Sequence, residues 1–192
     1  SVYPGFILVQ MGEMKPSLAY LDFPSDESYV PWLPPIVADP EDKNAFFFPA
    51  TRIYRYDYNP GIGTWQVRLH SEHDFQVSAG EYVSAIRFSP VDSSRVYAAT
   101  SMGRFWTSSD SGITWSQSQN MVADENWYYG QAIVPSSTDV DTVTIGGSGY
   151  GVPAVYQSSD GGQSFRPLDD GLPDTLVYGM VEARDGSGRL FA

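Results

Sequence analysis

The chain has 192 residues, 42% of them hydrophobic, no cysteine, and 23 acidic against 11 basic residues, for a formal charge of −12. That length and composition suit one compact domain with its own core, and the missing cysteines exclude a disulfide scaffold and a cysteine zinc site. The charge repels phosphate backbones, so nucleic acid is not an expected partner, and no apolar run approaches the roughly 20 residues of a membrane-inserted helix.

Aromatic residues make up 15% of the chain, with 18 glycines and 14 prolines, the profile of short strands joined by tight turns. In chain order, the apolar runs "FILVQM" (6–11) and "SLAYLDF" (17–23) read first as two strands. From residue 31 a unit of about fifty residues recurs. The first copy (31–78) holds "PIVADPEDKNAFFFPAT" (35–51) and reaches Trp65 in "NPGIGTW". The second (79–122) holds "AIRFSPVDSSRVYAAT" (85–100) and "SSDSGITW" (108–115). The third (123–172) holds "QAIVPSSTDVDTVTIGG" (131–147) and "SSDGGQSF" (158–165). A fourth opens with "GMVEARDGSGRLFA" (179–192). Thr64, Thr114 and Ser164 precede Trp65, Trp115 and Phe165, and each aromatic follows the last by 50 residues.

Within the second copy, alternation predicts strand A over 83–88, a turn at "SPVDSS", strand B at "RVYAAT", strand C at "RFWTSS", and strand D from Trp115. No segment keeps apolar residues at helical spacing for three turns. Four short antiparallel strands repeating every 40 to 50 residues are the signature of a β-propeller blade. The expected fold is therefore all-β: a partial propeller of about three full blades, with 1–30 supplying strands C and D of a preceding blade and 173–192 starting the next. The fourth copy stops inside its strand B, so the expectation is a piece of a longer polypeptide of roughly six to eight blades; closure of a four-bladed ring is the alternative.

Ser108, Asp110, Gly112, Thr114 and Trp115, matched by Ser158, Asp160, Gly162, Ser164 and Phe165, set out the pattern Ser-x-Asp-x-Gly-x-Thr/Ser-Trp/Phe. This resembles the Asp-box, or BNR repeat, of sialidase-like propellers, which also occurs in xyloglucanase-type glycosidases and sortilin-like receptors. The first copy is degenerate, with Tyr58 at the aspartate position and a hairpin two residues longer. Each residue of the motif has a structural task. The carboxylate accepts backbone N–H groups of the turn, the glycine supplies φ > 0, and the aromatic packs between blades. The resemblance implies that these turns lie on the face away from any active site.

Because the chain alternates direction, the B–C and D–A loops share the opposite face, where a ligand is expected. In "ENWYYG", Glu125 beside Trp127 and Tyr128 is the mixture that grips sugars, an aromatic platform with a carboxylate for hydroxyls. Tyr150 in the B–C loop "GSGYGVP" joins them. The alternative is that Trp127 and Tyr129 begin the next strand A and pack inward. His70 and His73 in "HSEHD" offer two metal ligands without an identifiable third, and a solvated acidic loop is the preferred reading. Arg52 and Arg104 recur at the start of strand C, which favours a structural salt bridge over a ligand clamp. No residue is singled out as catalytic, no metal site is assigned, and nothing calls for a cofactor.

The expected function is a non-catalytic propeller module of a larger bacterial protein, extracellular or in the cell envelope, binding glycan or another protein. A fragment of a glycoside hydrolase is the alternative, with Asp124, Glu125, Asp169 and Asp170 as loop carboxylates; the chain lacks the Arg-Ile-Pro signature that a sialidase resemblance would require. A purely structural module is the third reading.

Overall fold

The computed structural model describes residues 6–9, 18–21, 23–27, 29, 31, 33–121, 128–148, 151–168 and 176–192. Three four-stranded antiparallel sheets follow one another along the chain. The first comprises β3 (Val37–Ala38), β4 (Ala45–Pro49), β5 (Ile53–Asn59) and β6 (Thr64–Ser71). The second comprises β7 (Val83–Phe88), β8 (Val96–Thr100), β9 (Phe105–Ser108) and β10 (Ser116–Gln117). The third comprises β11 (Tyr129–Pro135), β12 (Val143–Ser148), β13 (Val155–Ser158) and β14 (Arg166–Pro167). Two-stranded ladders flank them, β1 (Phe6–Val9) with β2 (Leu18–Leu21), and β15 (Val181–Glu182) with β16 (Leu190–Phe191). Each sheet pairs its strands in sequence order, and no helix occurs among the described residues. This is a partial β-propeller. The expected strands A to D of the second copy appear as β7 to β10, with strand D shortened to two residues because the chain leaves the ladder soon after its turn.

The core lies between the sheets rather than within any one of them. Phe47, Ile53, Phe75, Val83, Ile86, Val96, Ala98 and Trp106 fill the seam between the first and second sheets. Tyr97, Phe105, Met121, Tyr128, Ile133, Val143, Ile145 and Phe165 fill the seam between the second and third. A lone sheet of this kind would expose an apolar face on either side, so each one is stable only when flanked. Close approach is enforced at Gly130 in β11, where a Cβ would lie 2.7 Å from the Ala99 methyl and 2.8 Å from Ile145 Cδ1.

The turns between strands C and D close by one repeated device. Asp110 Oδ1 accepts hydrogen bonds from Ser108 Oγ (2.7 Å), Ile113 N (3.1 Å) and Thr114 N (2.8 Å), while Oδ2 accepts from Thr114 Oγ1 (2.6 Å). Gly112 N donates to Ser108 Oγ at 2.9 Å. The third sheet repeats this with Asp160, Ser158, Ser164 and Gly162. Two consecutive residues of each turn are left-handed, Ser111 (φ 60°) with Gly112 (φ 86°), and Gly161 (φ 72°) with Gly162 (φ 88°). Burial pushes the Asp110 carboxyl up, but the bonds from Thr114, Ser108 and Ile113 outweigh it and hold the group below the usual aspartate range. The first sheet lacks the aspartate and instead runs β5 and β6 out to Asn59 and Thr64, where the Tyr58 and Trp65 rings pack 5.1 Å apart.

The turns also join neighbouring sheets. Ser71, at the end of β6, donates through Oγ to the Ile113 carbonyl at 2.7 Å. Ser118, just beyond β10, donates in the same way to the Gln163 carbonyl at 3.0 Å. Ile113 and Gln163 occupy matching positions in the two aspartate turns. Trp115 meets Phe75 at 5.2 Å and Phe165 meets Phe105 at 4.6 Å, so each aromatic packs against what precedes its own sheet. Replacing Asp110 with alanine removes a charged acceptor from several turn bonds at once. It should cost about 2 kcal/mol in urea unfolding, and Asp160→Ala should cost about the same.

Candidate functional site

The D–A connections carry the chain from one sheet to the next across the end remote from the aspartate turns. Val83 N bonds to the Ala50 carbonyl (2.9 Å), Phe75 N to Thr51 (2.8 Å), Ser101 N to Tyr82 (2.9 Å) and Val177 N to Gly147 (3.0 Å). These bonds bring the residue that precedes or opens each strand A to one rim. In the second and third sheets that residue is Tyr82 and Tyr129; in the last ladder Tyr178 lies three residues before β15. Trp32 matches them in sequence in the first copy and lies outside the described residues.

The tyrosines form a connected surface. The Tyr29 ring stacks on Tyr82 with centroids 5.4 Å apart and 24° between planes. Tyr82 meets Tyr129 edge to face at 6.4 Å. Tyr29 is 41% exposed and Tyr178 65% exposed, with Tyr82 and Tyr129 half-buried between neighbours. Burial, and then the neighbouring Tyr82 hydroxyl, raise the Tyr129 phenol, so it stays protonated and able to donate across the ordinary pH range.

Two carboxylates stand beneath this rim, and both are committed to the fold. Glu81 is fully buried; it accepts from Thr100 Oγ1 (2.6 Å) and Ser78 N (2.9 Å) and pairs with the Arg104 guanidinium. Glu27 accepts from Thr51 Oγ1 at 2.7 Å and from Arg52 N at 3.3 Å, while the Arg52 side chain reaches the Asp26 carbonyl at 2.9 Å. Thus a glutamate of the D–A loop, a threonine at the end of strand B and the arginine that follows recur as one structural unit. Arg52 and Arg104 are absorbed in holding loops.

Of the loop residues expected to bind ligand, Glu125, Trp127 and Tyr150 lie outside the described residues, as do Asp124, Asp169 and Asp170. Tyr128 is described, and it is placed differently from the expectation. Its side chain is buried in the seam between the second and third sheets, edge-on to Tyr156 at 5.4 Å, with its hydroxyl donating to the Ala154 carbonyl at 3.1 Å. The reason is strand parity. Tyr128 and Tyr129 are adjacent, so only one of them faces the rim, and the need to fill the seam takes Tyr128. The rim residue is Tyr129, which the sequence reading assigned only to strand A. Its signal was a repeat position rather than a motif: tyrosine at 82 and 129, seven residues before Ser89 and Ser136, whose N–H groups close equivalent A–B turns.

No protein-family model matches the sequence, and no curated protein matches it. The fold is similar to that of solved GH74 enzymes. The crystal structure of an ancestral GH74 enzyme matches 69% of the chain with a TM-score of 0.53 at 15% identity. The crystal structure of the Niastella koreensis GH74 enzyme matches 77% of it with a TM-score of 0.52 at 20% identity. These matches cover 18% and 24% of the two enzymes' own chains, so the protein described here spans about a quarter of their length or less. At such identities the likeness is one of fold.

The two histidines are packing groups of the seam. His70 Nε2 donates to the Ser111 carbonyl at 2.9 Å and its ring stands edge-on to Phe47 at 4.8 Å. His73 lies edge-on to Phe75 at 4.6 Å and Trp106 at 4.5 Å. His70 Nδ1 and His73 Nε2 are buried without a partner among the described residues, and no cluster of three His, Cys, Asp or Glu side chains that could hold a metal occurs among them. Burial lowers both pKa values below the ordinary 6.5. The Arg68 and Arg55 charges act in the same direction on His70, against its Ser111 bond and Asp39; Asp74 alone opposes the shift at His73. A depressed histidine stabilises the fold fully above the unfolded value and loses that contribution as pH falls below it. Unfolding free energy should therefore fall between about pH 7 and pH 5, and His73→Phe, which keeps the ring packing and removes a titrating group, should flatten the fall in a pH series of urea melts.

Proposed function

We propose that this chain is a segment of a longer Asp-box propeller of glycoside-hydrolase type, and that its B–C and D–A loop face binds a neutral polysaccharide. The observation that carries the reading is the tyrosine rim: Tyr29, Tyr82 and Tyr129 in ring contact. Phenol rings offer an apolar face to the C–H side of a sugar and a hydroxyl to its oxygens. The likeness to GH74 enzymes, which are β-propeller glycoside hydrolases, is in keeping with a glycan ligand.

Charge narrows the ligand. A chain with net charge −12 disfavours an acidic glycan, and the described carboxylates under the rim are occupied by Arg104, Thr100, Thr51 and Arg52 rather than poised for proton transfer. The segment thus contributes the wall that grips the sugar chain, while the acid and base come from elsewhere in the polypeptide. A polysaccharide ligand fits an extracellular or cell-envelope location in a bacterium. The GH74 likeness favours a second reading, in which the loop carboxylates Asp124, Glu125, Asp169 and Asp170 include a catalytic group.

Affinity electrophoresis through gels cast with neutral glucans, xylan or mannan, beside an acidic pectin, tests the reading. Retardation by a neutral polysaccharide is expected, with Tyr82→Ala weakening it about tenfold. Absence of retardation by every neutral polysaccharide would overturn the proposal. Release of reducing sugar that Glu125→Gln abolishes would move the catalytic carboxylate into this segment.

A further inference from the structure

We infer that the chain carries a second saccharide site, on the aspartate-turn face between the second and third sheets, built to take a single neutral sugar unit. It lies at the opposite end of the strands from the tyrosine rim and does not depend on the function proposed for that rim. A cavity of about 300 Å³ opens there, at the small end of the range of ligand sites. Its walls are hydroxyls and amides: Thr107, Ser109, Ser116, Gln117 and Gln163, with Arg95 at one side.

Thr107 is the key to it. In each sheet the outer ladder pairs a polar residue of strand C with a residue of strand D: Asp57 with Gln66, Thr107 with Ser116, and Gln157 with Arg166. In the first sheet that polar residue is satisfied locally, Asp57 by Arg55 (2.7 Å) and Arg68 (3.1 Å). In the third, Gln157 bonds to Arg166 (3.2 Å) and Thr144 (3.4 Å). Thr107 is only 9% exposed, yet its Oγ1 has no partner among the described residues, and neither has the buried Nε of Arg95 on the same wall. Native proteins leave few buried polar groups unpaired, and those they leave call for a specific explanation.

Three features select a neutral, hydroxyl-rich ligand. Serine, threonine and glutamine side chains both donate and accept, as sugar hydroxyls do. Arg95 Nη1 and Asp141 Oδ1 both flank Gly161, 3.0 and 3.3 Å from where its Cβ would stand, so the cation on this wall already has a carboxylate beside it. The oxygens of Asp110 are already filled by its own turn. Two wall residues are tied through the backbone, Gln119 N donating to the Gln163 carbonyl at 2.8 Å, which reduces the ordering cost of binding. Gln117 and Gln119, both exposed, line the same cavity as Thr107.

Titration of the ¹⁵N-labelled protein with glucose, xylose, galactose and mannose, and with glucuronate as the charged control, tests this. A neutral sugar should shift the amide signals of Thr107, Ser116 and Gln163 saturably, and glucuronate should not. Thr107→Val keeps the shape and removes the hydroxyl. It should weaken binding about tenfold while the unfolding midpoint holds or rises, since no unpaired hydroxyl is buried any longer. Gln117→Ala, on the exposed rim, should weaken binding several-fold without touching the core, and Tyr82→Ala on the far face should leave it unchanged. The inference is overturned if no neutral sugar shifts these signals, if glucuronate binds equally well, if Thr107→Val binds as tightly as the parent, or if that variant loses stability, which would give Thr107 a partner inside the fold.

Discussion

The way the sheets join depends on the carboxylates that close the outer hairpins of the second and third sheets. Asp110 and Asp160 gather the donors of their own turns, which leaves the carbonyls of Ile113 and Gln163 free to face the preceding sheet. Ser71 and Ser118 then dock on those carbonyls. One side chain thus fixes both the hairpin and the angle at which the next sheet meets the last. In a stack whose core lies only in the seams, that angle decides whether Phe105, Tyr97 and Ile145 interdigitate or leave gaps.

The same stacking explains why the two ends of the strands differ in use. At the aspartate end, turns are short and internally bonded, and the neighbouring A–B turns follow suit: Asp39, Asp92 and Asp139 each accept from backbone N–H groups two or three residues on. At the other end the chain must cross from one sheet to the next, and two crossings are held by a glutamate, Glu27 or the buried Glu81, with a threonine and an arginine. Anchoring Glu81 on Thr100 and Arg104 beneath the surface frees the residue after it, Tyr82, to stand on the rim. Rigid polar supports below and aromatic rings above make a preorganised surface, and such a surface binds an extended ligand with little ordering cost.

Much of this was legible in the sequence. The fifty-residue spacing of Trp65, Trp115 and Phe165 sets the number and order of the strands, and Ser-x-Asp-x-Gly-x-Thr/Ser marks the turn that joins C to D. Those signals are local: a turn of five or six residues specifies its own hydrogen bonds, so residue types alone reveal it. The assignment of Tyr128 to the ligand face went astray because two adjacent tyrosines are equivalent as a pattern, and only packing against Tyr156 and the Ala154 carbonyl distinguishes them. The histidines raised the same ambiguity. His-x-x-His in a polar loop suggests ligands until Phe47, Phe75 and Trp106 close around the two rings.

The sequence by itself determined the repeat, the all-β class and the chemistry of the aspartate turns, because each rests on residues within one hairpin's reach. Tertiary structure alone decided which tyrosines form a rim, that Glu27 and Glu81 serve the fold, and that Thr107 finds no partner among the described residues while Asp57 and Gln157 are satisfied. The rim joins residues about fifty positions apart, and the glutamates reach threonines 19 and 24 positions away, so burial and distance decide between side chains that look alike in the sequence.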